Sequence, residues 1–169
     1  THLVGTLNNF TTYNLKLVDK NQSEIIGTAN FRNLFGKGNQ EFYMKGNFDR
    51  ITSNYEDLKS ILPRILGNNL PSVLAKLGNV NIAGDVELTQ KYINADVTML
   101  SQLGYLEGNL AMQNINNIDN ASYQGNIKLD AFDLGTLLNQ NEIGKATLDL
   151  DVDGKGFTQK LLNTAIKGK

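Results

Sequence analysis

Cysteine is absent from the 169 residues, so neither disulfide bonds nor thiolate metal sites can organise this chain. Tryptophan is absent too, and Tyr43, Tyr92 and Tyr105 are too scattered to replace it as a sugar-stacking platform. The one histidine, His2, supports neither a zinc site of ordinary composition nor a Ser-His-Asp or Cys-His triad. Lys plus Arg number 16 against 17 Asp plus Glu, a net charge of −1, so no basic excess is available to neutralise a nucleic-acid backbone. No window approaches 18 uninterrupted apolar residues, and the start lacks the basic region and small-residue cleavage site of a signal peptide.

What is present is alternation. Val80, Ile82, Gly84, Val86 and Leu88 share one phase, while Asn79, Asn81, Asp85 and Glu87 take the other. Such alternation marks a strand with one covered and one wet face. The same pattern runs through Leu3-Gly5-Leu7, Tyr13-Leu15-Leu17, Ile25-Gly27-Ala29-Phe31, Phe42-Met44-Gly46-Phe48, Ile93-Ala95-Val97-Met99, Leu106-Gly108-Leu110-Met112, Tyr123-Gly125-Ile127-Leu129 and Ala146-Leu148-Leu150-Val152. Nine strands with short Asn- and Gly-rich links predict a mostly β fold, a long antiparallel meander. Strands are expected over about 2–49 and 79–154, with a strand or tail over 157–169, all in one segment. The start at Thr1, running straight into a strand pattern, predicts a piece cut from a longer polypeptide.

A helical insertion is expected over about 53–78. Ser53 and Glu56 have capping-box spacing, and Tyr55, Leu58, Ile61, Leu62, Ile65 and Leu66 follow at helical intervals, kinked or ended near Pro63. A second short helix is expected from Pro71 to Gly78, and a helical turn after Asp133 through Leu137 and Leu138.

An "apolar, any, Gly, Asn or Asp, apolar" element recurs at Met44–Phe48, Ile82–Val86, Leu106–Leu110 and Tyr123–Ile127. Its glycines, Gly46, Gly84, Gly108 and Gly125, fall on the apolar phase, as do Gly5 and Gly27. Mid-strand glycine costs roughly 0.5–1 kcal/mol relative to Ala. It therefore predicts either sharp bending of the sheet or room for a close approach, and both suit a curled sheet.

Asp149-Leu150-Asp151-Val152-Asp153-Gly154 opens like a calcium loop, but the twelfth position is Lys160 and the aspartates alternate with apolar residues as in a strand. Gly36-Lys37-Gly38 and Gly154-Lys155-Gly156 lack the phosphate-loop frame and read as turns. The sequons at Asn9, Asn21 and Asn120 are expected to be unused. No catalytic residues, metal site or cofactor are expected.

Three later stretches carry a family likeness. Phe132-Asp133-Leu134-Gly135-Thr136-Leu137-Leu138, then Ile143 to Leu148, then Val152-Asp153-Gly154-Lys155-Gly156-Phe157 resemble a stretch of TamB-like proteins of the AsmA-like bacterial envelope group. The run from Leu62-Pro63 through Leu70-Pro71-Ser72 to Leu77-Gly78 resembles theirs as well, so the likeness spans residue 40 onward.

The resemblance implies a non-enzymatic segment of a protein that spans the periplasm of a Gram-negative bacterium. Its curled sheet, an open β-taco-like trough, would pass phospholipid between inner and outer membranes. An inner-membrane anchor would lie outside this segment, as would any link to an Omp85-type barrel in outer-membrane protein assembly. The expected partners are phospholipid acyl chains. They would lie along Ile82, Val86, Ile93, Val97, Leu106, Leu110, Ile127, Leu129, Leu148 and Leu150, over the four groove glycines. The alternatives are a closed β-domain that binds carbohydrate or protein, and a structural spacer whose groove is self-filled.

Overall fold

The structure, a computed structural model, describes residues 1–35, 40–61, 72–117, 120–156 and 163–168. Ten strands form one antiparallel sheet in chain order: β1 (His2–Gly5), β2 (Asn9–Val18), β3 (Glu24–Arg32), β4 (Tyr43–Ser53), β5 (Val80–Thr89), β6 (Tyr92–Ser101), β7 (Gly104–Gln113), β8 (Ser122–Asp133), β9 (Lys145–Lys155) and β10 (Asn163–Gly168). The first nine coincide with the alternating segments, and β10 adds a tenth within 157–169. β1 and β10 are not neighbours, so the sheet is an open meander curled into a trough rather than a closed barrel.

Among the described residues, three short helices interrupt the meander: α1 (Tyr55–Ile61), a 3-10 helix (Ser72–Leu77) and α2 (Leu134–Leu138). The α1 cap sits one residue later than the spacing suggested. Asn54, not Ser53, is the N-cap, its Oδ1 accepting the Asp57 N–H at 3.0 Å. Ser53 instead ends β4 with its Oγ 3.3 Å from that of Ser23. The remainder of the expected first helix, including Leu62, Pro63, Ile65 and Leu66, lies outside the described residues, as do Pro71, the Gly36-Lys37-Gly38 turn, Phe157 and Lys160. At α2 the expected helical turn is present, capped by Asp133 Oδ1 accepting the Thr136 N–H at 2.9 Å.

One-sided burial depends on keeping the two-residue phase, and three bulges reset it. In β8, Leu129 pairs with Leu148 but Phe132 with Ala146, so Asp130 and Ala131 share one place in the ladder. Simple alternation would turn Phe132 outward. The extra residue turns it inward, where it is 1% exposed. Ala131 takes φ +46° to do so, and its N–H is held by Thr147 Oγ1 at 3.1 Å. In β4 the extra residue is at Asp49–Arg50 and returns Ile51 to the apolar face. In β2 it is at Tyr13–Asn14, where Asn14 has φ +50°. That bulge corrects the expected phase: Thr12 and Leu15 are buried, whereas Tyr13 packs its ring against His2 on the opposite face. Leu7 belongs to the turn after β1 and is exposed.

The mid-strand glycines divide by cause. A Cβ on Gly84 (φ +130°) would lie 2.2 Å from the carbonyl oxygen of Asp96, so the bent backbone itself requires glycine there. A Cβ on Gly108 would meet only Leu106 Cδ2 at 3.5 Å and Asn126 O at 3.9 Å, both ordinary contacts. Gly84→Ala should therefore destabilise the chain by more than about 1–2 kcal/mol. Gly108→Ala should be neutral or stabilising by up to about 1 kcal/mol. Urea unfolding of the two variants checks this, and equal losses would refute the distinction.

Candidate functional site

Strand register arranges the apolar phase into four rows crossing the sheet. Two central rows form the floor. One runs Gly27, Phe48, Gly84, Val97, Gly108, Ile127, Leu150; the other runs Ala29, Gly46, Val86, Ala95, Leu110, Gly125, Val152. Along each strand from β4 to β8, a Gly or Ala in one floor row stands beside a larger residue in the other. The antiparallel reversal explains this. The recurring element places glycine just before the Asn or Asp, and alternate strands run in opposite directions, so its glycines fall on alternate sides of one polar line.

That polar line runs along the opposite face as Asn47, Asp85, Asp96, Asn109, Asn126 and Asp151. Asp85 and Asp96 are directly opposed, which is unfavourable for like charges. Asn47 Nδ2 donates to Asp85 at 3.0 Å and Asn109 Nδ2 to Asp96 at 3.4 Å, offsetting the repulsion. Asn126 Nδ2 bridges Asp149 and Asp151 at 2.7 and 3.0 Å. The would-be calcium-loop aspartates are thus exposed on strand β9, not gathered in a loop. Among the described residues, no three His, Asp or Glu side chains are arranged to hold a metal ion.

Two wall rows flank the floor and are bulky throughout. One is Ile25, Ile51, Ile82, Met99, Leu106, Leu129, Leu148; the other is Phe10, Phe31, Met44, Leu88, Ile93, Met112, Tyr123. From Ile82 to Leu88 along β5, wall to wall, is about 20 Å. The cross-section is a low floor of small and medium side chains between taller walls.

The chain packs its own residues onto both walls. Leu74 and Leu77 from the 3-10 helix, with Leu134 and Leu137 from α2, join Phe132, Leu103 and Val80 against the first wall. Leu34, Phe42 and Ile115 cover the second. Polar contacts fix these covers. Lys76 Nζ donates to the Thr136 and Leu137 carbonyls at 2.9 and 2.8 Å, tying the 3-10 helix to the C-terminal end of α2. The buried Asp57 carboxylate accepts from Asn21 Nδ2, Ser23 Oγ and Asn54 Nδ2 at 2.7, 2.6 and 2.9 Å, anchoring α1 to the β2–β3 turn.

All ten expected groove residues lie on this face, in different surroundings. Ile82, Leu106, Leu129 and Leu148 belong to the first wall, and Ile127 packs against the same cluster. Ile93 is in the second wall, with Val86 beside it. Val97, Leu110 and Leu150 belong to neither cluster and are half-buried along the floor. Sequence reading placed Phe42 on the apolar phase of the fourth strand but missed the covering residues Leu103 and Ile115 and the inward turn of Phe132. A signal existed only for Phe132, in the broken alternation after Leu129. Shallow depressions of about 500 and 380 Å³ are lined by charged side chains such as Lys45, Asp85, Glu107 and Lys128 together with apolar ones such as Val86, Leu110, Leu129 and Leu148.

Among the described residues, three titrating groups depart from ordinary behaviour, all near the rims. Hydrogen bonds, from Ser23 first and then Asn21, lower the Asp57 pKa. The Thr136 backbone N–H, followed by its hydroxyl, lowers that of Asp133. Desolvation, reinforced by the bond to Glu87, raises that of Tyr92. Comparison with protein-family models, curated proteins and solved structures finds no significant match.

The two lowered carboxyls contribute to the acid limb of stability. Their contribution is fully present above the ordinary value of 3.8 and is lost as pH falls below it. Asp57→Asn should lower stability at neutral pH, yet lose less of what remains on acidification from about pH 5 to pH 2. Unfolding midpoints across that range should show the shallower slope, and parallel slopes would remove Asp57 from the account.

Proposed function

We propose that this chain is a non-enzymatic segment of a periplasm-spanning protein of a Gram-negative envelope, anchored at the inner membrane through residues outside the segment. Its trough holds phospholipid acyl chains and passes them between the two membranes, with a contribution to outer-membrane protein assembly through an Omp85-type barrel. The observation that carries this reading is the pair of floor rows, which cross β3 to β9 without a polar side chain.

An acyl chain fits such a strip for simple reasons. It has no hydrogen-bonding groups to satisfy, and each buried CH₂ is worth about 0.8 kcal/mol wherever it lies along the strip. Because the floor lacks directional contacts, neighbouring positions differ little in energy, which favours sliding over trapping. The order and spacing of Phe132–Leu138 and Val152–Phe157 support the envelope setting through their resemblance to TamB-like proteins. The wall clusters favour a second reading, a structural spacer whose trough is filled by its own side chains.

Photocrosslinking separates the two. A photoreactive residue at Val97 or Leu110 in the full-length protein in cells should yield lipid adducts. The same probe at the outward Asp96 or Asn109 should not. Equal labelling, or none, at both pairs would overturn the conduit and leave the spacer.

A further inference from the structure

The connections between strands repeat with a period of four. After a first and a second strand come short turns, at 6–8 and 19–23 and again at 90–91 and 102–103. After a third strand comes a longer connection, spanning 33–42 and 114–121. After a fourth comes one whose described part opens with a helix, α1 or α2, spanning 54–79 and 134–144. β1–β4 and β5–β8 are therefore two copies of one unit, and β9 and β10 occupy the first and second places of another.

Local geometry agrees along the rows of the sheet. Leu3 reaches Gly46 through Thr12 and Ala29, as Val86 reaches Gly125 through Ala95 and Leu110, so Leu3 and Val86 hold the same place in their units. Asn33 and Asn114 follow the third strands at φ +56° and +55°. Each turns the next residue, Leu34 or Ile115, back so that its N–H bonds the first turn of its unit, at Asn8 O (3.2 Å) or Lys91 O (3.0 Å). Both fourth strands carry the Gly-Asn element and a bulge, and each leads into a capped helix. Gly46 and Gly125, and Asn54 and Asp133, are each 79 residues apart.

The repeat specifies what fits the free edge of β1. In two places a first strand pairs with a preceding fourth strand: β5 with β4, and β9 with β8. β1 is also a first strand, but among the described residues it pairs only with β2. Leu3 and Val4 on it are 55% and 51% exposed. We infer that β1 is an acceptor edge for an antiparallel fourth-type strand, one with the apolar-x-Gly-Asn-apolar element and a following bulge, supplied by another copy of the unit. The register follows from β4–β5. Asn47 pairs with Asp85 and Lys45 with Glu87, and these β5 residues correspond to His2 and Val4. This inference is independent of what the trough holds.

The chain contains no cysteine, so disulfide trapping has a clean background. The probe is a synthetic peptide of residues 43–53 carrying Asn47→Cys or Lys45→Cys, mixed under mild oxidation with the whole chain carrying His2→Cys or Val4→Cys. His2→Cys should trap the Asn47→Cys peptide, and Val4→Cys the Lys45→Cys peptide, several-fold above the two crossed combinations. In the crossed pairs the residues are diagonal neighbours about 7 Å apart, beyond the span of a disulfide, which is why they should fail. No trapping in either matched pair, trapping without preference between matched and crossed pairs, or a chain–chain disulfide outcompeting the peptide would each overturn the assignment.

Discussion

Side chains on a strand alternate faces, and that parity is the constraint on which the rest of this structure depends. A ten-stranded sheet with one apolar face can stay continuous only if every strand enters in the right phase and keeps it. The bulges in β2, β4 and β8 are corrections to that phase, placed where the sequence would otherwise turn Leu15, Ile51 or Phe132 to the wrong side. Asn14 and Ala131 hold the left-handed conformations at two of them. For Ala131 this costs about 1–2 kcal/mol, set against the near-complete burial of Phe132.

Parity also explains the cross-section. Because neighbouring strands run in opposite directions, a short element repeated on each cannot place its glycines in one line. They divide between the two floor rows, each beside a larger residue, while the longer side chains at the strand ends build the walls. The helices and loops then bury the walls, where there is most apolar area to cover. The floor is left less covered by that packing, in keeping with the half-burial of Val97, Leu110 and Leu150.

Much of this was legible in the sequence because alternation is a local signal. Val80–Leu88 or Ile93–Met99 can be read without knowing what lies opposite. The helical turn after Asp133 was legible for the same reason. What required the structure was non-local or depended on a single inserted residue. The inward turn of Phe132 rests on Asp130 and Ala131 sharing one rung, and the reversal of Tyr13 on Asn14. The α1 start moved from Ser53 to Asn54 because the Ser53 hydroxyl lies against Ser23 across the sheet. The four glycines looked equivalent, yet Gly84 answers to a carbonyl on the next strand and Gly108 to no close contact. Among the covers over the walls, Leu34, Leu103 and Ile115 come from turns and loops with no periodicity to announce them.

The four-strand period has a consequence for the energetics of the whole sheet. Units that meet through strand pairs and through contacts between successive helical links behave as a linear array, in which stability is a sum of unit terms and nearest-neighbour terms. Lengthening such an array leaves its width and lining unchanged, and a damaged unit weakens its neighbours without dissolving distant ones. Melting of this kind proceeds from the ends inward or splits at the weakest junction, so a single midpoint would describe it poorly. A surface built this way has its cross-section set by the repeated unit and its length by the number of copies.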